Sequence, residues 1–288
     1  KAVKGKSVEE ALAEYQARYS RSINDPEGFW RDSAQALLAW QRPFDKVMGG
    51  DLLNGDVHWF TGGLLNACYN CLDRHMPHRA DQTAIIWEAD EPGEGRKITY
   101  SELFREVCRI TNVMAAAGVR KGDVVTLYMP MIPELAMVML ACCRLGAVHS
   151  VVFAGFSSDS LRDRIRDCNS NFIFTANEGL RGGRSLRLKD TVDAAVAQCP
   201  DVQKVFVFKR TAGEVNMAPN RDLWMHETLP LARAYAPCAL VDSEDPIFIL
   251  YTSGSTGKPK GVLHSTAGYL LNATLTTKES FDLREGDI

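Results

Sequence analysis

Apolar residues recur at helical spacing near the start of the chain, where Val8, Leu12, Tyr15 and Tyr19 share one face of residues 7–20. Ser7 followed by Glu10 has the form of a capping box and predicts where that helix begins. Residues 25–50 are a Pro-broken, aromatic-rich stretch with Phe29, Trp30, Trp40 and Phe44. Residues 1–80 therefore read as a helical and aromatic arm packed on a larger body. From about residue 82 the pattern changes. Short apolar runs predict strands at 83–88, 123–129, 149–153, 171–175, 204–208 and 246–251, with a turn at 91–95. Helix-length segments lie between them. One opens at a Thr99–Glu102 capping box and ends at Gly118, one runs from Pro133 to Gly146, and two cover 158–168 and 188–198. Strands alternating with helices predict an α/β fold with a largely parallel sheet covered on both faces. Such sheets take their ligands at the carboxyl ends of the strands.

Composition narrows the functions. The chain has 288 residues, 33 basic and 36 acidic, for a net charge of −3. That near-balance argues against a protein built to grip nucleic acid, so an anionic ligand must be met by a local site. No window has the apolar length of a membrane span. The eight cysteines form no secreted disulfide framework, which favours a reducing compartment. Cys68 and Cys71 make a lone CxxC with His75 and His78 close behind, too compressed for a zinc finger. These thiols are expected to be buried or half-buried, and no metal is expected on protein ligands. Lys1–Lys6 is basic but has no apolar segment behind it, so it is not a secretory signal. The default expectation for location is the cytoplasm; because the chain opens on Lys1 rather than methionine, a leader could have been removed, and the mitochondrion is then the alternative.

Chemistry concentrates in residues 251–261, Tyr-Thr-Ser-Gly-Ser-Thr-Gly-Lys-Pro-Lys-Gly. They follow an apolar strand directly. Thr252, Ser253, Ser255 and Thr256 bring hydroxyls, Gly254 and Gly257 free the backbone, and Lys258 brings charge, which together suit phosphate oxygens. A Walker-type loop is disfavoured, because Thr252 stands where its first glycine belongs and Pro259 follows Lys258. Gly261–His264 reads as a further strand, so the loop is expected to join strand to strand. A second candidate is Arg181-Gly182-Gly183-Arg184, two guanidinium forks around two glycines. Such forks match phosphates and stack on adenine, although a solvated basic turn has the same composition. His58, His75, His149 and His226 have no partner at catalytic spacing and read as structural or surface residues. Asp73-Arg74 reads as an ion pair or cap.

The run YTSGSTGKPKGV resembles the phosphate loop of the adenylate-forming superfamily. The stretches WFTGGLLNACYNCLDRH (59–75), VVFAGFS (151–157), GLRGGR (179–184) and LHSTAGYLL (263–271) narrow the resemblance to acetyl-CoA synthetases, over essentially the whole chain. Ala267 is the one departure noted, where a glycine is usual. The resemblance implies that residues 81–288 are an incomplete large adenylation domain of AMP-binding type. It implies that Thr252, Ser253, Gly254, Ser255, Thr256, Gly257 and Lys258 hold the β- and γ-phosphates of ATP, with Mg²⁺ sharing the charge. By the same resemblance Arg181, Gly182, Gly183 and Arg184 contact the 3′-phospho-ADP end of coenzyme A, while Phe153 and Gly155 line its adenine side. His264 would shape the phosphate site.

The implied reaction is ATP-dependent activation of acetate to acetyl-adenylate, then transfer to coenzyme A. The acyl pocket, the ribose-binding Asp, the hinge, the catalytic lysine and the small C-terminal domain are expected beyond Ile288. No catalytic residue is therefore assigned in 1–288, and this segment alone is expected to be inactive. The alternatives are a propionyl-CoA or other short-chain acyl-CoA synthetase and, from another class, a non-catalytic nucleotide- and CoA-binding module.

Overall fold

The computed structural model describes residues 6–91, 93–252 and 259–288. Its contacts fall into two units. The first is Lys1–Leu65 with Asp242–Glu244 and Ala267–Ile288, and the second is Asn66–Val241 with Asp245–Thr266.

In the first unit a helix spans Val8–Asn24, opened by the capping box that the sequence predicts. The Glu10 N–H donates to Ser7 Oγ (3.2 Å) and the Ser7 N–H donates to the Glu10 carboxylate (2.7 Å). Asp25 then caps the helix Pro26–Leu37 by accepting the Gly28 N–H at 3.0 Å. An antiparallel hairpin, Lys46–Asp51 with Asp56–Thr61, pairs Met48 opposite Trp59. Aromatic rings hold this unit together: Trp30 meets Trp59 edge-on at 6.1 Å, and Phe44 lies 5.0 Å from both Trp40 and Phe60. The stripe Val8, Leu12, Tyr15 and Tyr19 stays exposed, and no residue of that helix is buried.

The second unit is built on a seven-stranded sheet. In spatial order the strands are Asp222–Trp224, Lys204–Phe208, Phe172–Ala176, Val124–Tyr128, Val148–Val151, Pro246–Thr252 and Lys260–Ser265. All pairings are parallel except the last, where Lys260–Ser265 runs antiparallel to Pro246–Thr252. The predicted return strand after residue 261 is therefore present. Every residue of Phe172–Ala176 is buried, as a strand covered on both faces requires. Phe174 and Phe206, opposite each other in register, stack at 4.3 Å inside it. The helices Tyr100–Ala116 and Pro133–Leu145 pack together, as do Ser158–Asp167 and Leu188–Val196. The Thr99–Glu102 capping box forms, with Thr99 N–H to Glu102 at 2.8 Å and Glu102 N–H to Thr99 Oγ1 at 3.2 Å.

Two ionic clusters lie within the second unit. The Lys189 side chain is fully buried and meets Asp193 (2.7 Å) and Asp222 (2.8 Å). Burial pushes the Asp222 carboxyl up, but hydrogen bonds from Arg221, Lys189 and the Ala218 N–H outweigh it and hold it below the usual carboxylate range. Asp73, read from the sequence as part of an ion pair or cap, finds a strong ion-pair partner in Arg144. Arg144 reaches the two Asp73 oxygens at 2.8 and 2.9 Å across 71 residues of sequence. The CxxC also divides: Cys68 is buried and Cys71, at the end of the short helix Ala67–Cys71, is exposed, contrary to expectation.

Candidate active site

Parallel order puts the carboxyl ends of six strands along one edge, and three of the segments at that edge carry candidate chemistry. Val148–Val151 leads into the 152–157 turn, Phe172–Ala176 leads into the 179–186 hairpin, and Pro246–Thr252 leads into the Ser/Thr/Gly/Lys run. Thr252 is exposed and pairs with Lys260, so the two strands bracketing that run are joined to their last residues. Ser253, Gly254, Ser255, Thr256, Gly257 and Lys258 lie outside the described residues.

The strand end is anchored firmly. Tyr251 donates its phenol to Asp167 at 2.6 Å. Burial raises the Tyr251 pKa, and the hydrogen bond to Asp167 raises it further, so the phenol remains the donor. On the opposite face of the strand Phe248 stacks between His149 (5.5 Å) and His264 (4.5 Å). Burial pulls His149 down to about 4, so it is neutral near pH 7.

The 152–157 turn is shaped from beneath. Tyr128, buried at the end of its strand, donates its hydroxyl to the Phe156 carbonyl at 2.8 Å, with the Ala154 carbonyl 3.0 Å away. Above it Phe153 is 55 % exposed, a large ring offered to solvent. Gly155 makes room for that ring, since a Cβ there would stand 2.4 Å from Phe153 Cε1. The resemblance implies that Gly155 lines the adenine side; what the structure shows of it is that the lack of a Cβ leaves the Phe153 ring its place.

Arg181 and Arg184 occupy a hairpin, Gly179–Arg181 with Arg184–Leu186. Its two-residue loop is Gly182 (φ 56°) and Gly183 (φ 71°), the left-handed pair that only glycines adopt cheaply. That loop sets Arg181 directly opposite Arg184. Like charges in register repel. Among the described residues no carboxylate pairs with either. The Arg181 guanidinium instead lies over the Phe153 ring at 5.4 Å, bringing two candidate segments together. The Gly182 N–H donates to Asp90 at 2.9 Å, tying the hairpin tip to the 88–95 turn.

Sequence reasoning missed several supports. Buried Asn177 donates to Thr211 and Gly213 carbonyls (3.1 and 2.9 Å) and accepts the Arg210 N–H (2.8 Å), clamping the 209–213 loop after the next strand. Its only signal was an amide directly after an apolar strand. The functions of Tyr128 and Asp167 depend on partners 28 and 84 residues away, which no local pattern reveals.

Among the described residues one group of side chains has metal-binding types within 4.8 Å of one another: Cys68, Asp73 and Cys238. Arg144 already occupies it, with both Asp73 oxygens bound and Cys68 Sγ 3.5 Å away. No helix among the described residues is long and apolar enough to cross a membrane.

Comparison with known proteins identifies the family and the fold. A family model described as AMP-binding enzyme matches residues 72–288, and one described as acetyl-coenzyme A synthetase N-terminus matches 15–71. The chain is 53% identical over 274 residues to an acetyl-coenzyme A synthetase of Alkalilimnicola ehrlichii, covering 95% of this chain and 42% of that protein. It is 54% identical over 275 residues to acetyl-coenzyme A synthetase 2 of Pseudomonas aeruginosa, covering 96% and 43%. Among solved structures, acetoacetyl-CoA synthetase from Streptomyces lividans superposes with a TM-score of 0.85 at 28% identity, covering 93% of this chain and 41% of that one. The chain thus spans less than half the length of these relatives. With the AMP-binding model matched across the whole parallel sheet and the second model matched ahead of it, this chain belongs to the AMP-binding enzyme family, with an N-terminal segment of the acetyl-coenzyme A synthetase type.

Proposed function

We propose that this chain supplies the nucleotide- and CoA-binding half of an AMP-forming acetate–CoA ligase. A carboxylate resists attack at carbon because its charge is delocalised and its oxygen leaves poorly. Acetate oxygen attacks the α-phosphorus of ATP, the bond to pyrophosphate breaks, and acetyl-adenylate forms. The CoA thiol then adds to the acetyl carbonyl, gives up its proton, and expels AMP. The protein's share is positioning and charge stabilisation. In this reading Thr252 and Ser253–Lys258 hold the terminal phosphates of ATP. Arg181, Gly182, Gly183 and Arg184 receive the phosphates of the CoA nucleotide, and Phe153 with Gly155 offers its adenine a flat face.

The observation that carries the reading is the Arg181–Arg184 register. Two unpaired guanidinium groups held opposite each other beside an exposed aromatic ring match a phosphorylated adenine nucleotide. Mg²⁺ enters with the phosphates of ATP, its usual company. The Cys68, Asp73 and Cys238 group, two sulfurs beside a guanidinium, does not suit so hard a cation, and no step is routed through it. The substrates are small molecules, with no nucleic-acid partner. Eight free thiols fit a reducing compartment, for which we propose the cytoplasm.

The test is acetate-dependent exchange of pyrophosphate into ATP by the complete ligase. Exchange is expected in the wild type, with a loss of about 100-fold in Lys258→Ala, the scale for removing one preorganised donor. Full exchange in that variant would remove the phosphate-loop assignment. Residues 1–288 alone are expected to release no pyrophosphate.

A further inference from the structure

The second unit contains a continuous run of stacked side chains that none of the roles above requires. It begins at Tyr251, the residue before Thr252. The Arg164 guanidinium lies over the Tyr251 ring at 5.4 Å and over the Phe156 ring at 4.7 Å. Phe156 meets Phe153 edge-on at 5.5 Å. Phe153 carries the Arg181 guanidinium at 5.4 Å. One cation therefore bridges the strand that enters the phosphate run and the turn beneath the CoA-facing hairpin.

Arg164 is an expensive residue for a helix to bury. It is 8 % exposed. Among the described residues no carboxylate pairs with it. Its hydrogen bonds go to the Ser160 carbonyl (2.8 Å) and Ser160 Oγ (2.6 Å), one turn back on its own helix. An aliphatic side chain would fill the same face without desolvating a charge. What a guanidinium adds is a flat cation that attracts two ring faces at once. The same helix grips Tyr251 a second time through Asp167, at 2.6 Å.

We propose that Arg164 is a positioning residue that couples the end of the 246–252 strand to the 153–156 turn, and so couples the ATP phosphate run to the CoA hairpin. The identity of the two ligands rests on the function proposed above; the mechanical coupling does not. Arg164 is buried and acts through the two rings it covers. It fixes Tyr251 on one side and Phe156 on the other, so loosening it moves both sites together.

The complete ligase tests this with Arg164→Met, which keeps bulk and loses the cation, and Arg164→Lys, which keeps charge without the planar fork. In Arg164→Met, KM for ATP in pyrophosphate exchange and KM for CoA in the full reaction are both expected to rise about tenfold, the scale of a desolvated cation–π contact. Arg164→Lys should fall between it and the wild type. A merely structural role would reduce the folded fraction and kcat while leaving both KM values in place. Hydrogen–deuterium exchange gives a readout independent of activity. Amides at 153–156 and at 251–252 should exchange faster together in both variants, with the 100–116 helix unchanged.

A rise in only one KM, or faster exchange confined to 158–167, overturns the coupling. If Arg164→Met does not fold, Arg164→Lys carries both measurements. If the wild-type ligase shows no acetate-dependent exchange, the proposed function fails, and the amide pattern still decides the coupling.

Discussion

Arginines in two regions of the second unit are used in opposite ways. On the flank built by the 133–145 helix, the Arg144 side chain is 1 % exposed. It binds both Asp73 oxygens, donates Nε to the Ala236 carbonyl at 2.7 Å, and lies over the Phe104 ring at 5.0 Å. Burial alone would lower its pKa, but the pairing with Asp73 and the neighbouring sulfurs more than compensate, and it stays charged. At the carboxyl edge of the sheet, Arg181 and Arg184 are exposed and face each other across a tight turn. A charge whose donors are all satisfied internally serves the fold. Charges left facing each other with no internal partner are available to an incoming anion, the role proposed for this pair.

The largest expected effect breaks the first region. Arg144→Met leaves Asp73 charged, half-buried and unpaired, and should cost about 3–5 kcal/mol in urea unfolding. The double variant Arg144→Met with Asp73→Leu should recover much of that loss, because no stranded charge remains. A single variant as stable as wild type would show that the pair contributes nothing net.

A smaller effect comes from His149. Its folded pKa, about 4, lies below its ordinary value of 6.5 because burial disfavours the cation. The unfolded chain therefore binds the proton first as pH falls. Stability is fully present above pH 6.5 and is lost as pH drops towards 4, by about 3 kcal/mol in all. His149→Phe should flatten that part of a stability-against-pH curve. An unchanged slope would assign the acid loss to other groups.

The smallest effect on the fold is expected at the edge. Replacing both Arg181 and Arg184 by alanine removes a repulsion worth about 0.2–1 kcal/mol, so the unfolding midpoint should hold or rise slightly. In the complete ligase KM for CoA should rise roughly 10- to 100-fold, the worth of one or two charged hydrogen bonds. A large loss of stability with KM unchanged would reverse the contrast between the two regions.

Local chemistry was legible in the sequence. Ser7 and Thr99 open helices because a hydroxyl and a carboxylate three residues on satisfy each other's backbone donors. Pro133 opens one because its missing N–H costs nothing in a first turn. The central strands were readable as apolar runs because both of their faces are covered. The Arg-Gly-Gly-Arg run was legible as a composition but not as a hairpin, since antiparallel pairing of three-residue strands leaves too short a pattern. The apolar stripe of Val8, Leu12, Tyr15 and Tyr19 has helical spacing, yet the structure leaves it exposed. Periodicity states that a face is apolar, not that anything covers it. Lys189 was invisible, because a lysine in a charged helix looks like surface until the side chains around it are known.

The sequence by itself determined what depends on neighbours a few residues apart: helix starts, strand runs, the parallel class, and the composition of two phosphate-suited segments. Only the tertiary structure decided which charges are paired, because an ion pair depends on distance in space and Asp73 finds its partner 71 residues away. It also decided that Phe153, Arg181 and Tyr251 belong to one assembly. They lie in or just after three different strands, and the order of strands in a sheet is fixed by the packing of the whole chain.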